Sequence, residues 1–196
     1  MPPRVPRVAD RPNIEYRHIC MVRENLADLP QHSLPAGYTA RPFAPGDRAT
    51  WLRIWRASET FETIRPSHFD ESFGDDPGAM IRRAMFLVSP AGKDVGTITA
   101  WYEKRYLRRP WGRIHWVAVL PNHRGRGLSR GMMTLAMNRL WALGHRRAML
   151  ATQTTRIPAI RTYLRFGFVP ALTDAGSADA WRLVAGHVDH PALKGL

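Results

Sequence analysis

The run Trp116-Val117-Ala118-Val119-Leu120 is apolar and rich in β-branched residues, stops at Pro121 and turns through Gly125 and Gly127. It then resumes with Leu128, Met132, Leu135, Met137, Leu140 and Leu143 at helical spacing. This pattern predicts a strand over 113–119, a tight loop, and a helix closed by Gly144. Upstream, Tyr38 to Phe43 reads as a short strand. The Pro45-Gly46-Asp47 turn caps a helix with Trp51, Leu52, Ile54 and Trp55 on one side, a core stripe. Met85 to Val88 and Val95 to Tyr102, separated by Ser89-Pro90-Ala91-Gly92, predict a hairpin. Downstream, Arg147 to Gln153 reads as a buried strand. Thr154 or Thr155 caps a helix with Pro158 in its first turn, ending at Gly167, and Phe168 to Leu172 and Ala180 to His187 read as closing strands. Ile14 to Arg23 has strand character, Leu29 to Gly37 reads as a linker, and Met1 to Asn13 as a loose arm. The order of elements predicts an α/β (α+β) fold, a mixed and largely antiparallel sheet with helices on both faces.

Composition narrows this picture. The chain of 196 residues is long enough for one domain with a single good core, and 44% hydrophobic content with seven tryptophans fits a globular protein. One cysteine, Cys20, excludes an internal disulfide framework and fits a reducing, cytoplasmic setting. Residues 1–13 hold no apolar segment of signal-peptide type, and no run approaches the ~20 apolar residues of a membrane span.

Charge changes it further. Of the net +13, residues 1–103 carry 13 Lys and Arg against 13 Asp and Glu, residues 104–173 carry 14 against none, and residues 174–196 carry 2 against 3. The excess therefore sits on the segment that holds the glycine loop. Such a field attracts a polyanion. A solvated arginine-rich surface and a nucleic-acid face are the other readings of the same charge, nucleic acid being the less favoured.

The loop is an anion site by construction, because its backbone N–H groups converge with the free N–H groups of a helix start. A nucleotide P-loop fails, since Gly127 is followed by Leu128 and Ser129 rather than Lys-Ser/Thr. A dinucleotide fingerprint fails too: Arg130 replaces the third glycine, and no Asp or Glu occurs between Lys104 and Thr173 to hold a ribose.

The stretch resembles the acyl-CoA-binding motif Gln/Arg-x-x-Gly-x-Gly/Ala of the Gcn5-related N-acetyltransferase superfamily. Arg124, Gly127 and Ser129 take its three positions behind Val119-Leu120-Pro121, and Ser129 departs from the usual Gly or Ala. Ala159 to Phe168, a helix with a tyrosine running into Gly-Phe, is similar to the family's second signature. The resemblance spans Tyr38 to His187. The chain then divides into an N-terminal arm over 1–36 with room for an extra strand, an acetyltransferase domain over 37–188 and a tail over 189–196; whether the strand belongs to this domain or to a partner chain is open at this point.

What the resemblance implies for chemistry is transfer from acetyl-CoA directly to a primary amine, on a small molecule or peptide, in a ternary complex. The backbone of Arg124, Gly125, Arg126, Gly127, Leu128 and Ser129 would hold the diphosphate, with the Arg124 and Arg126 side chains adding charge. A strand bulge over Val117, Ala118 and Val119 would line the pantetheine arm, with the Val117 N–H facing the thioester oxygen. Tyr163 would be the general acid, since a phenol near ~10 protonates a departing thiolate. Glu103 and His115 are the candidate bases, and the acidic segment from Ser58 to Gly78 would shape the acceptor pocket. Arg156 stands where the family often carries Asn, which leaves that coenzyme contact outside the pattern. The eight histidines show no metal-ligand spacing, and no Ser/His/Asp order is readable. A homodimer is compatible with this reading. The rival is a non-catalytic basic module on the same fold, binding acyl-CoA or nucleic acid.

Overall fold

The structure, a computed structural model, describes residues 14–196; the arm expected over Met1 to Asn13 lies outside the described residues. In chain order it comprises β1 (His18–Arg23), β2 (Thr39–Pro42), α1 (Arg48–Ser58), α2 (Ser67–Phe73), α3 (Pro77–Arg83), β3 (Ala84–Val88), β4 (Asp94–Tyr106), β5 (Arg109–Val119), α4 (Leu128–Ala142), β6 (Ala148–Gln153), α5 (Ile157–Arg165), β7 (Val169–Pro170) and α6 (Ala175–Ala185). The strands form one sheet in the order β2-β3-β4-β5-β6-β1-β7. Only β5 and β6 pair in parallel; the other pairs are antiparallel. The expected hairpin is β3-β4, its turn closed by Ser89 N–H donating to the Lys93 carbonyl.

Alternation along β4 and β5 divides the core. Ile98, Ala100 and Ile114 point into the main cluster with Met132, Met137 and Leu140 of α4, Ile160 of α5 and Trp181 of α6. Trp101 points the other way, into an aromatic cluster with Trp51 and Trp55 of α1 and Phe69 and Phe73 of α2. Successive strand residues face opposite sides, so the two clusters lie on opposite faces of the sheet. The α1 stripe is core, as its spacing implies: Trp51 and Ile54 are fully buried and Leu52 and Trp55 nearly so.

The structure departs from the sequence reading at two places. Ala180 to His187 is not a strand: Ala180 to Ala185 complete α6, and Gly186 and His187 follow it. Asp174 and Ser177 form a reciprocal capping box, and Ala180, Trp181 and Val184 then fall on one helical face. Thr154 does not cap α5. Its hydroxyl is engaged by the Glu15 carbonyl and the Arg17 N–H, leaving Arg156 at the N-cap without a side-chain cap. The place of the first strand, left open by the sequence, is inside this sheet, between β6 and β7 with Cys20 opposite Ala151. The C-terminal segment is likewise engaged, Leu193 being buried in the main cluster. Among the described residues, no helix is long and apolar enough to cross a membrane.

Candidate active site

Parallel pairing between β5 and β6 is confined to Gly112 opposite Ala148 and Arg113 opposite Met149. Past those residues β5 continues to Val119 and β6 to Gln153 without pairing to each other, so the sheet splits in its middle. The β6-facing backbone edge of β5 beyond Arg113 is thus left without a strand partner. Backbone polar groups inside a fold are almost always satisfied, and an unpaired edge in mid-sheet is one that a ligand can pair with.

The other edge of the same stretch carries a bulge. Thr97 pairs with Ala118 and Thr99 with His115, so one residue on β4 is opposed by two on β5. Trp116 absorbs the extra residue at φ 50, a left-handed conformation that a bulky side chain rarely adopts. The consequence is visible in the side chains. Ile114 and Val117 face the main cluster, whereas His115 and Trp116, adjacent in sequence, both face the aromatic side. Trp116 is wedged edge-on between Trp51 and Trp55, with ring centroids 4.9 and 4.6 Å away, and this packing holds the strained backbone in place.

At the mouth of the split lies the glycine loop. Gly125 and Gly127 adopt φ 74 and 76, and Gly127 is the N-cap of α4 with no side chain capping the helix. The first N–H groups of a four-turn helix therefore face outward, with the dipole behind them. Ser129 and Gly127 line an open cavity of about 630 Å³. Leu128 is buried in the main cluster, so it contributes only backbone to the loop. The two arginine side chains expected beside the diphosphate donate to main-chain carbonyls here. Arg124 donates to the carbonyls of Val119 and Ser58, tying the loop to the ends of β5 and α1, and Arg126 donates to the Asn122 carbonyl at 3.4 Å. Free carbonyls at the ends of these elements compete for the guanidinium groups, a contact that motif spacing does not reveal.

Tyr163 of α5 packs in the main cluster, against which Val117 and Val119 of β5 also pack. Burial raises its phenol to about 12, and the charge of Arg156 acts in the opposite direction. Its hydroxyl makes no hydrogen bond to any described residue. Arg156 itself pairs with Glu59, whose carboxylate also accepts the N–H groups of Thr60 and Phe61. Burial pushes Glu59 up, but the Phe61 N–H and Arg156 outweigh it and leave the carboxyl below its ordinary value. The C-terminus of α1 is therefore joined both to the loop, through Ser58 and Arg124, and to the helix of Tyr163, through Glu59 and Arg156. The sequence reading placed Glu59 only within an acidic segment.

The two candidate bases do not share this position. Glu103 pairs with Trp111 in register and lies 3.5 Å from Arg113, near the turn that joins β4 to β5. That is four residues beyond Thr99, roughly 13 Å past the bulge. His115 sits at the bulge, but burial and the nearby Arg113 hold its imidazole well below the ordinary value, and it packs against Phe73. Among the described residues, no cluster of His, Cys, Asp and Glu could hold a metal ion.

The profile of the Acetyltransferase (GNAT) family matches residues 48–168, from the start of α1 to the end of the second signature. The chain belongs to this family. Among relatives, it is 30% identical over 174 residues to mycothiol acetyltransferase of Mycobacteroides abscessus, covering 83% of this chain and 56% of that protein. It is 29% identical over 167 residues to the enzyme of the same name from Streptomyces avermitilis, covering 81% of this chain and 52% of that one. The chain thus spans about half the length of the curated relatives it matches. Its fold is similar to that of a GCN5-related N-acetyltransferase from Sphaerobacter thermophilus, with TM-score 0.65 and 20% identity over 83% of this chain and 50% of that one. It is also similar in fold to a chain of the NatC complex bound to Gag peptide and CoA, with TM-score 0.54 and 16% identity over 65% of this chain and 82% of that one. In this GNAT chain the split sheet, the bulge and the glycine loop follow one another along a single strand and its exit.

Proposed function

We propose that this GNAT protein is an acetyl-CoA-dependent N-acetyltransferase that passes the acetyl group directly to a primary amine within a ternary complex. The observation that carries this reading is the split between β5 and β6, which runs from the glycine loop to the neighbourhood of Tyr163. The loop N–H groups hold the diphosphate, the unpaired edge that runs from Val117 to Val119 pairs with the amides of the pantetheine arm, with Ala118 between them paired to Thr97 of β4, and the Val117 N–H polarises the thioester carbonyl. The amine nitrogen attacks that carbon, the C–S bond breaks, and Tyr163 gives its proton to the departing sulfur; the proton that the nitrogen sheds in becoming an amide passes to water, from which the Tyr163 phenolate is reprotonated. A phenol near 12 is a weaker acid than a thiol near ~8.5, so transfer is uphill in the empty site, and the field of Arg156 offsets part of the difference.

His115 is the closer of the two candidate bases, but its depressed basicity favours an amine that enters already unprotonated. The rate then climbs with pH toward the amine's own pKa without an imidazole step. The relatives named mycothiol acetyltransferase support a small-molecule acceptor, and a cytoplasmic setting in which Cys20 stays reduced is part of the same reading. The test is a panel of small primary amines, aminothiols among them, incubated with acetyl-CoA while acetylated product is followed by mass spectrometry. Product with one or more amines, and none with their tertiary counterparts, is the expected result. Binding of acetyl-CoA without transfer to any amine would favour the non-catalytic module instead.

A further inference from the structure

The cavity at the glycine loop has a wall that the motif does not supply. Gln31, His32 and Ser33, from the segment between β1 and β2, face Ser129 and Arg130 of α4 and Arg165 of α5 across it. This segment is fastened to α4 along its length. Thr134 Oγ1 accepts the His32 N–H and donates to the Pro30 carbonyl, and the Gln31 and Asn138 amides pair reciprocally at 3.1 and 2.9 Å. One turn earlier, Leu34 lies so close to the helix that a Cβ on Gly131 would stand 2.8 Å from its Cδ2 and 2.9 Å from its Cα. The His32 ring rests against Phe166, centroids 5.7 Å apart. The wall is therefore fixed before any ligand arrives, which lowers the ordering cost of binding.

The charges facing this wall are unusual for the chain. Most other arginines of the basic segment are engaged within the protein, Arg109 with Glu24, Arg113 with Glu103, Arg156 with Glu59, and Arg139 and Arg161 with main-chain carbonyls, while Arg105 and Arg108 lie at the β4-β5 turn, away from the cavity. Arg130 and Arg165 make no hydrogen bond or ion pair with any described residue, and both line the cavity. Two guanidinium groups held on adjacent helices around one cavity repel each other unless an anion lies between them.

Building on the coenzyme reading above, we infer that His32, Arg130 and Arg165 form a second anion subsite, for the phosphate on the ribose of coenzyme A. The diphosphate is taken by the loop N–H groups, and this subsite takes the monoester at the adenosine end. A phosphate monoester carries roughly −1.5 to −2 charge and three acceptor oxygens, which suits a pair of guanidinium forks and an imidazole N–H. The protein therefore selects coenzyme A over its dephospho form, and the segment between β1 and β2 is a working part of the coenzyme site.

The test is calorimetric titration of coenzyme A and of dephospho-coenzyme A into the wild-type chain and into an Arg130→Gln, Arg165→Gln double variant. In the wild type, coenzyme A binds at least about tenfold more tightly, as two charge-assisted contacts imply. In the double variant the preference shrinks to about twofold, while dephospho-coenzyme A keeps its wild-type affinity; His32→Ala removes a smaller share. Equal binding of the two compounds by the wild type overturns the inference without needing any variant. An equal loss for both compounds in the double variant also overturns it, since the arginines then supply only a general field. Failure of the wild type to bind either compound removes the coenzyme reading itself, and the subsite with it.

Discussion

Tyr163 is a buried phenol in the main cluster whose hydroxyl no described residue holds. Removing that hydroxyl therefore costs the fold little, and any large effect belongs to chemistry. Tyr163→Phe is expected to lower kcat by about a hundredfold or more while coenzyme affinity stays within about twofold and the melting temperature is unchanged. Steady-state kinetics beside calorimetry check this, and full turnover in the variant would remove Tyr163 from the reaction.

His115 makes a prediction of another kind. Its folded pKa lies well below the unfolded value of about 6.5, because burial and Arg113 disfavour the cation. Below pH ~6.5 the unfolded chain binds a proton that the folded chain refuses, so stability is intact above that value and falls as pH drops toward the folded pKa. His123 and His145 are shifted down too, each by burial and then by an arginine, Arg126 and Arg83 respectively. Melting curves from pH 7.5 to 5 should thus show a falling midpoint, and His115→Gln should flatten the largest part of the slope. An unchanged slope in that variant would place the titrating groups elsewhere.

At the scale of elements, Gly131 links the core helix to the segment that crosses it. An exposed helix glycine replaced by alanine ordinarily gains about 1 kcal/mol. Here the new methyl meets the Leu34 backbone as well as its side chain, so Gly131→Ala is expected to destabilise by about 1–3 kcal/mol and to weaken coenzyme binding as the wall shifts. Chemical denaturation measures the first effect, and a net stabilisation would show that the crossing is loosely held.

That crossing also marks how far the elements were legible beforehand. The strand, loop and helix from Arg113 to Leu143 were readable because each carries its own local signal: β-branched residues, two glycines in sequence, then apolar residues at helical spacing. The hairpin β3-β4 was readable from its Pro-Gly turn. Leu29 to Gly37, with two prolines and little periodicity, reads as a linker, and its docking depends on Thr134 and Asn138 about a hundred residues away. A glycine within an otherwise apolar helix was the one visible trace of it. α6 was misread because Trp181, Leu183 and Val184 look β-prone, while the capping box that decides the matter is two side-chain hydrogen bonds. The contacts of the Arg124 side chain were hidden for a similar reason, since its acceptors are carbonyls of β5 and α1.

At the scale of the whole molecule, the sheet is continuous everywhere except where β5 and β6 part, and the parts of the proposed site gather there. The loop comes from the exit of β5, Tyr163 from the helix after β6, and the link between them from the C-terminus of α1. The segment over the outer cavity comes from the chain before β2. The positive excess of residues 104–173 is largely spent on internal contacts, and at the cavity it is Arg130 and Arg165 that remain to face a ligand.

The central claim is that acetyl-CoA occupies the split, and the melting temperature of the wild-type chain with and without acetyl-CoA tests it most directly. At a hundred times its dissociation constant the ligand adds about 2.7 kcal/mol, a rise of roughly 5–10 °C for a chain of this size. The account predicts that rise with acetyl-CoA, no rise with inorganic phosphate at the same concentration, and its loss in Gly127→Val, where a β-branched residue cannot hold the left-handed N-cap of α4. An unchanged melting temperature with saturating acetyl-CoA, or an equal rise with phosphate alone, would contradict it.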